Sequence, residues 1–422
     1  MKQLLIIGGG ASGLTAALFA AEAGLSCTVL ERTDRFGTKL SITGKGRCNL
    51  TNACDSAVFF EQIIRGDKFL RSALSGFTPK DTVAFFEKLG LPSHVERGDR
   101  VFPDCEDAKT VVRVLVDACR SRNVRLIRDA EVRSLILEPI PPDAEARHPV
   151  TRKVIGAELK DGRSFSADAV LLATGGKSYP RTGSDGSAFA LPRSAGHTVT
   201  DLRPALVPIS CRGRDCPDMM GLSLRNVTLR VKEDGRKKPV FEKQGELLFT
   251  PFGISGPLTL SASSPLSPEK TYALSLDWKP ALPEEKLDRR ILREIEENPA
   301  RSLNHMLHTL LPSSAVPVFL RRLGLDGERR SDSLKKEERV RMRQLFKNFD
   351  LSYDGLRPVE EGIITAGGVR LSEIDPKTMA SRKCTGLYFA GEMIDADALT
   401  GGFNLQIAFS TAFAAVRAIA QE

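Results

Sequence analysis

Tryptophan occurs once, tyrosine four times and histidine five times in 422 residues. No stretch of about eighteen or more apolar residues runs free of glycine or polar interruption, so a membrane span is not expected. The nearest approach, Leu4 to Ala23, carries Gly8, Gly9, Gly10 and Gly13 at its middle and lacks a cleavage-like end. It reads as strand, turn and helix, not as a signal segment. The eight cysteines are scattered without a pair of CxxC elements, which argues against a zinc site or any other metal centre and for reduced thiols in a cytoplasmic protein. No internal repeat or low-complexity tract is present, and 41% hydrophobic with 27% charged residues exclude a disordered chain.

What is there is a chain long enough for two or three cores. Its net charge of +8 suits an anionic cofactor or substrate and permits weak nucleic-acid contact. Much of the excess lies from Arg321 to Lys347, interleaved with Glu328, Glu337 and Glu338 and without an aromatic ladder. That pattern reads as a solvated helix face.

Apolar runs at Gln3 to Ile7 and Cys27 to Leu30 flank a helical repeat over Leu14 to Ala23, a strand, helix, strand unit suited to a parallel sheet. Helical patterns follow at Lys80 to Leu89 and Ala108 to Arg122, strand patterns at Val124 to Ile127 and Val132 to Leu137, and a hairpin loop at Pro139 to Pro149. Val170 to Thr174 reads as a strand buried on both faces. Past residue 195 the alternation at Asn226 to Val231, Val240 to Phe249 and Tyr272 to Trp278 predicts an antiparallel β region. From Pro283 the period becomes helical, with Val340, Leu345, Phe346 and Phe349 closing a third helix. Thr385 to Ala390 then predicts a strand and Gln406 to Ala420 a helix. The expected class is α/β: a nucleotide-binding domain from residues 1–194 and 358–422, interrupted by a β-rich insertion (195–280) and a helical one (281–357).

Gly8-Gly9-Gly10-Ala11-Ser12-Gly13 is a GxGxxG between a predicted strand and helix. Gly8 permits the tight turn, Gly10 lets backbone approach a pyrophosphate, Gly13 lets helix and strand pack closely, and the helix N-terminus faces the anion. Glu31, at the end of the second strand, is placed to accept hydrogen bonds from ribose hydroxyls. Thr174 and Gly175 follow one buried strand, and Gly391 and Glu392 follow another near the C-terminus. That order is similar to the way flavoproteins with two dinucleotide-binding folds contact FAD. Glu392 or Asp395 would bond ribityl hydroxyls, and the helix opening at Gly402, Phe403 and Asn404 would aim its N-terminus at the flavin.

The runs GGGASGLTAA at 8, TGKGRCNLTN at 43, RVFPDCEDAKTVV at 100, LLATGGKSYPRTGSDG at 171, GELLFTPFGISGP at 245 and LYFAGEMIDADALTGGFNLQIA at 387 carry a resemblance across nearly the whole chain. It resembles the bacterial BaiN-like, or aminoacetone-oxidase-like, FAD-dependent oxidoreductases, themselves similar to fumarate-reductase flavoproteins. The resemblance implies a Rossmann-like, glutathione-reductase-like FAD domain with a β-barrel-like and helical insertion, and non-covalent FAD. It places Arg32 and Lys39 near the adenosine ribose, and Thr43, Gly44, Gly46, Arg47, Cys48 and Asn49 along the flavin. Val132 would meet the adenine edge through its backbone, and the run from Gly401 through Leu405 to Gln406 would face the pyrimidine side.

Many relatives have a histidine after the Phe-Thr of the 245 run, where this chain has Pro251, which cannot exchange a proton. No residue is therefore assigned to acid or base work, and Arg47, Cys48 and Tyr179 stand as candidates. Arg47 also reads as a carboxylate partner on the surface, Tyr179 as a packed, hydrogen-bonded aromatic, and Cys48 with Cys54 as unpaired thiols. The expected function is hydride transfer between flavin N5 and a small or medium organic substrate beneath the insertion, an enone-type acceptor reduced with NAD(P)H as a transient donor. An amine or amino-acid oxidase using oxygen is the alternative. A flavin-containing RNA-binding or RNA-modifying protein, suggested by the charge and the basic helix, is the alternative from another class, although no nucleic-acid partner is expected.

Overall fold

Short apolar runs with both faces covered build the sheet of the first unit. The computed structural model describes residues 2–141 and 150–422; most of the expected hairpin loop at Pro139 to Pro149, and His148 with it, lie outside the described residues. Five parallel strands stand in the order Leu387–Phe389, Ala169–Leu172, Gln3–Ile7 (β1), Ser26–Leu30 and Arg125–Ile127. Leu4 to Ile7, Val29, Leu30, Ala169 to Leu172 and Leu387 to Phe389 are all buried. The chain order reverses between β1 and Ala169–Leu172, and in open α/β sheets ligands bind beyond the C-terminal strand ends at that reversal. The helix Ala11–Glu22 (α1) follows β1, and the C-terminal helix Phe403–Gln421 packs on it. Phe403–Gln421 is long and apolar enough to cross a membrane, yet Phe403, Gln406 to Ala412 and most of its later residues are buried in this unit.

The chain divides into two compact units, residues 1–204 with 359–422, and 205–358. The second is a closed antiparallel barrel in the order Ile209–Arg212, Gly253–Ser255, Phe241–Thr250, Ser223–Glu233, Tyr272–Asp277 and Phe349–Leu356, whose last strand pairs with the first. Alternation explains it: Val227, Leu229 and Val231 point inward, while Arg230 and Lys232 point out. The helices Glu284–Glu297, Leu303–His308, Val316–Leu323 and Lys336–Lys347 send Leu287, Ile291, Leu307, Phe319 and Phe346 into the same core. The insertion therefore has one core, not separate β and helical ones. Phe349, expected to close a helix, begins the last barrel strand; buried Phe349 and Leu351 alternate with exposed Asp350 and Ser352. The basic run is largely neutralised within this unit. Arg321 pairs with Asp215 and Asp218, Arg329 with Glu338, Arg339 with Asp288 and Lys347 with Asp277.

Candidate functional site

The glycine loop joins β1 to α1. Gly8 has φ +108°, and a Cβ there would lie 2.4 Å from the Ala173 carbonyl oxygen, so it is pressed against the neighbouring strand's end. A Cβ on Gly13 would lie 1.8 Å from the Gly8 oxygen. A Cβ on Gly10 would meet nothing within 4 Å. Packing thus demands the first and third glycines, while the middle one borders open space. Gly10 caps α1 without a side-chain bond and no acid stands in the first turn, so its free N–H groups and positive dipole end are available to an anion. These features fit a dinucleotide pyrophosphate. Gly9, which sequence reading passed over, is wedged against Phe36, and its N–H donates to Glu31 Oε2 at 2.8 Å.

Glu31 is buried and its Oε1 accepts from Thr33 N at 2.9 Å. Its carboxylate thereby braces the glycine loop and keeps lone-pair capacity for a ribose. Arg32 is held by Asp185 at 2.7 Å, with Glu131 at 3.6 Å. The Lys39 ammonium lies 2.7 Å from Glu392 Oε2 and donates to Ser178 Oγ at 2.6 Å, a carboxylate partner that its surroundings in the sequence do not announce. Val132 opens the strand Val132–Pro139 of a separate antiparallel sheet, opposite Leu159.

The run 43–49 is a tight coil. Gly44, Lys45, Gly46 and Cys48 all have positive φ, which non-glycine residues adopt at a cost. With its amide oriented to satisfy both ends, Asn49 accepts from Gly402 N at 3.1 Å and donates to Thr51 O at 3.0 Å. It therefore ties this coil to the start of Phe403–Gln421. Arg47 lies 2.5 Å from both Glu96 and Glu106 and stacks 4.3 Å over Phe102. The surface-partner reading of Arg47 is the one the geometry shows, and a free catalytic guanidinium is not. His94, Glu96 and Glu106 bring ligand-capable atoms within 4.8 Å of one another, but Arg47 bonds both glutamates. Cys48 is fully buried, and burial pushes its thiol up to about 12, so it is neither thiolate nor nucleophile. All eight cysteines are free.

At the C-terminal strand end, a Cβ on Gly391 would lie 2.1 Å from Ser12 Oγ, which sets this turn against the first turn of α1. Glu392 Oε1 accepts from Thr365 N at 2.7 Å, so with Lys39 on Oε2 its carboxylate is engaged by protein partners. Asp395 accepts from Thr200 Oγ1 at 2.9 Å. Thr174 Oγ1 lies 3.2 Å from Met393 Sδ, and Gly175 has φ +76° beside Ser184. Gly402 caps the helix at φ +95°, where a Cβ would lie 2.3 Å from Thr51 O. Phe403 packs edge-on against Phe59, and Leu405 is half-buried. Two side chains expected at the pyrimidine side turn elsewhere. Asn404 bonds Ala398 N at 2.9 Å and Ala398 O at 2.8 Å, and fully buried Gln406 bonds Thr51, Thr82, Phe77 O and Ser410. This end of the helix offers backbone N–H groups to a ligand.

His197 is buried edge-on to Phe389 with Nε2 2.6 Å from Ser381 Oγ. Burial holds its pKa at about 4, so the ring is neutral and structural. Tyr179 contradicts the packed-aromatic reading: it is exposed, in the left-handed region at φ +53°.

The family description "HI0933-like protein Rossmann domain" matches residues 2–418. The chain is 30% identical over 428 residues to a 3-dehydro-bile acid delta(4,6)-reductase of Clostridium scindens, covering 100% of both. It is 28% identical over 424 residues to a ribosomal RNA dihydrouridine synthase of Haemophilus influenzae, covering 100% of this chain and 99% of that one. Among solved structures, the 3-ketosteroid delta1-dehydrogenase of Sterolibacterium denitrificans is similar with a TM-score of 0.49 and 13% identity, covering 100% of both chains.

Proposed function

We propose, from the premise that this chain belongs to the HI0933-like Rossmann-domain family and is a flavoprotein oxidoreductase, that it binds FAD non-covalently and reduces a carbon–carbon double bond conjugated to a carbonyl, with NAD(P)H as donor. The observation that carries the cofactor is the contrast within the glycine loop: Gly8 and Gly13 have no room for a side chain, while Gly10 opens onto free space at an uncapped helix N-terminus. The α1 N-terminus would hold the pyrophosphate, Glu31 the adenosine ribose, and the N–H groups opening Phe403–Gln421 the pyrimidine edge. Bound FAD supplies a ring that accepts and delivers hydride. The net reaction adds a hydride from NAD(P)H to the β-carbon and a proton to the α-carbon, releasing NAD(P)+.

The relatives' names support that reaction class. A 3-oxo steroid with Δ4,6 unsaturation and the uracil ring of uridine each carry a C=C conjugated to a carbonyl, and each named activity reduces or yields the reduced form. The test is anaerobic mixing of purified holoprotein with NADH and then NADPH, followed by a steroidal 4-en-3-one. Bleaching by the nicotinamide and reoxidation by the enone are expected; a flavin that no nicotinamide bleaches overturns the donor, and one that no conjugated carbonyl reoxidises overturns the acceptor.

A second reading takes the same chemistry to ribosomal RNA uridine, favoured by 28% identity over the full length of a relative so named. Ion pairs hold Arg321, Arg329, Arg339 and Lys347 of the 321–347 run within the unit, while the net charge of +8 stands with those partners already counted. Dihydrouridine lost from ribosomal RNA in a deletion strain, and restored by the native gene, would favour this substrate over a free small molecule.

A further inference from the structure

Asp397 is the most deeply buried carboxylate among the described residues. The chain that carries it runs from Gly391, set against Ser12 in the first turn of α1, to Gly402, which caps Phe403–Gln421. Asp397 therefore stands between the segments given to the pyrophosphate and to the pyrimidine edge of FAD. The strand Asp397–Ala398 pairs antiparallel with Ile63–Arg65, and the Asn404 amide, in the first turn of the C-terminal helix, bonds Ala398 N at 2.9 Å and Ala398 O at 2.8 Å. Those bonds fix the residue next to Asp397 at the helix opening. The Asp397 side chain is 2% exposed, with Oδ1 2.6 Å from Arg65 Nη1 and Oδ2 buried without a hydrogen-bond partner. A single ion pair leaves most of a carboxylate's acceptor sites unmet. Three charged groups act on it: Arg65 on the paired strand, Asp395 two residues earlier, and Arg203 on the strand Arg203–Ala205. Burial outweighs the two arginines and pushes the carboxyl up to about 6, so it changes charge near neutrality.

We propose that Asp397 is a redox-linked proton site, its carboxylate taking one proton from solvent when bound FAD is reduced and returning it on reoxidation. Two electrons and one proton go to the flavin ring, and a second proton goes to the carboxylate, whose orphaned Oδ2 is free to carry it. The cause is electrostatic. The reduced ring gains a negative charge, and a like charge nearby raises a buried carboxyl by about 1–3 units of pKa. The coupling is reciprocal, so an ionised Asp397 makes the flavin harder to reduce by the same factor. The inference rests on the FAD reading alone and is independent of the electron donor and of the substrate.

The test compares FAD-loaded native protein with Asp397→Asn, which keeps the side chain's shape and cannot ionise. The equilibrium constant for flavin reduction is measured anaerobically against reference dyes of known potential from pH 5 to pH 8.5. At the acid end Asp397 holds its proton in both redox states, and at the alkaline end the oxidised protein has lost it. The native-to-variant ratio of that constant is expected to fall by about tenfold or more as pH rises across this range. A ratio that stays within about twofold throughout overturns the proposal. Should Asp397→Asn fold poorly or lose its flavin, the native protein alone decides. Its redox-difference infrared spectrum at pH 7 is expected to gain the carbonyl stretch of a protonated carboxyl on reduction, shifted in heavy water, and a spectrum without that band overturns the proposal. Native protein that binds no FAD overturns the cofactor reading and this inference together.

Discussion

Lys39 and Glu392 stand 353 residues apart in the chain and 2.7 Å apart in the fold. Ser178 joins them, so one small polar knot links the segments that follow three of the sheet's strands. The two side chains retain about a fifth of their exposure (23% and 20%), so removing one partner strands a partly desolvated charge. Lys39→Met is expected to destabilise by about 1–3 kcal/mol after allowance for solvent screening. The double variant Lys39→Met, Glu392→Gln should recover part of that loss. Urea unfolding of the two single variants and the double variant checks it: strictly additive losses would mean the pair is not coupled.

The glycine loop separates folding from binding. Gly10 has φ −88°, which any residue adopts, and open space beyond it, so Gly10→Val is expected to fold with a near-native melting temperature yet purify colourless. Gly13→Ala drives a methyl into the Gly8 carbonyl and is expected to lose several kcal/mol or fail to fold. Flavin absorbance per protein, read beside far-ultraviolet circular dichroism, distinguishes the two. A yellow Gly10→Val protein would remove the pyrophosphate from this loop.

These contrasts show which parts of the molecule were legible from local pattern. The GxGxxG, the doubly buried runs and the inward alternation of Val227, Leu229 and Val231 are written in neighbouring residues, so the parallel sheet and the β region could be read directly. Partnerships across hundreds of residues could not. Nothing near Arg47 announces Glu96 and Glu106, nothing near Asn49 announces Gly402, and Gln406 gives no sign that it will fill the space between Thr51, Thr82 and Phe77. Phe349 misled because a residue three beyond Phe346 continues a helical period; Asn348, at φ −149°, ends the helix first.

His197 makes stability depend on acid. Burial, the largest cause, lowers its pKa from 6.5 to about 4, with the nearby Glu373 carboxylate only partly opposing. The unfolded chain therefore binds a proton that the folded one refuses. Stability from this group is full above pH 6.5 and falls as pH drops toward 4, by about 3 kcal/mol. Chemical unfolding of native protein and His197→Gln at pH 7.5 and 4 should show the native protein losing more on acidification. Equal losses would assign the acid sensitivity to other groups.

Asp397 works in the opposite direction. Its side chain is almost wholly buried; Oδ1 pairs with Arg65 Nη1 at 2.6 Å, while Oδ2 is buried without a hydrogen-bond partner. Desolvation raises its pKa from 3.8 to about 6, with Arg65 opposing, Asp395 adding to the rise and Arg203 reducing it. The folded state holds this proton more tightly than the unfolded one. The contribution is thus fully present below pH 3.8 and is lost as pH climbs through 6, by roughly 2–3 kcal/mol. Asp397→Asn cannot titrate, so the stability difference between native protein and variant should favour the native protein more at pH 4 than at pH 8. Comparing native protein with the variant at each pH cancels the contribution of His197, which titrates in the same window with the other sign. A difference that stays constant across that range would mean Asp397 is ionised in the fold at both ends, with Arg65 outweighing the cost of its burial.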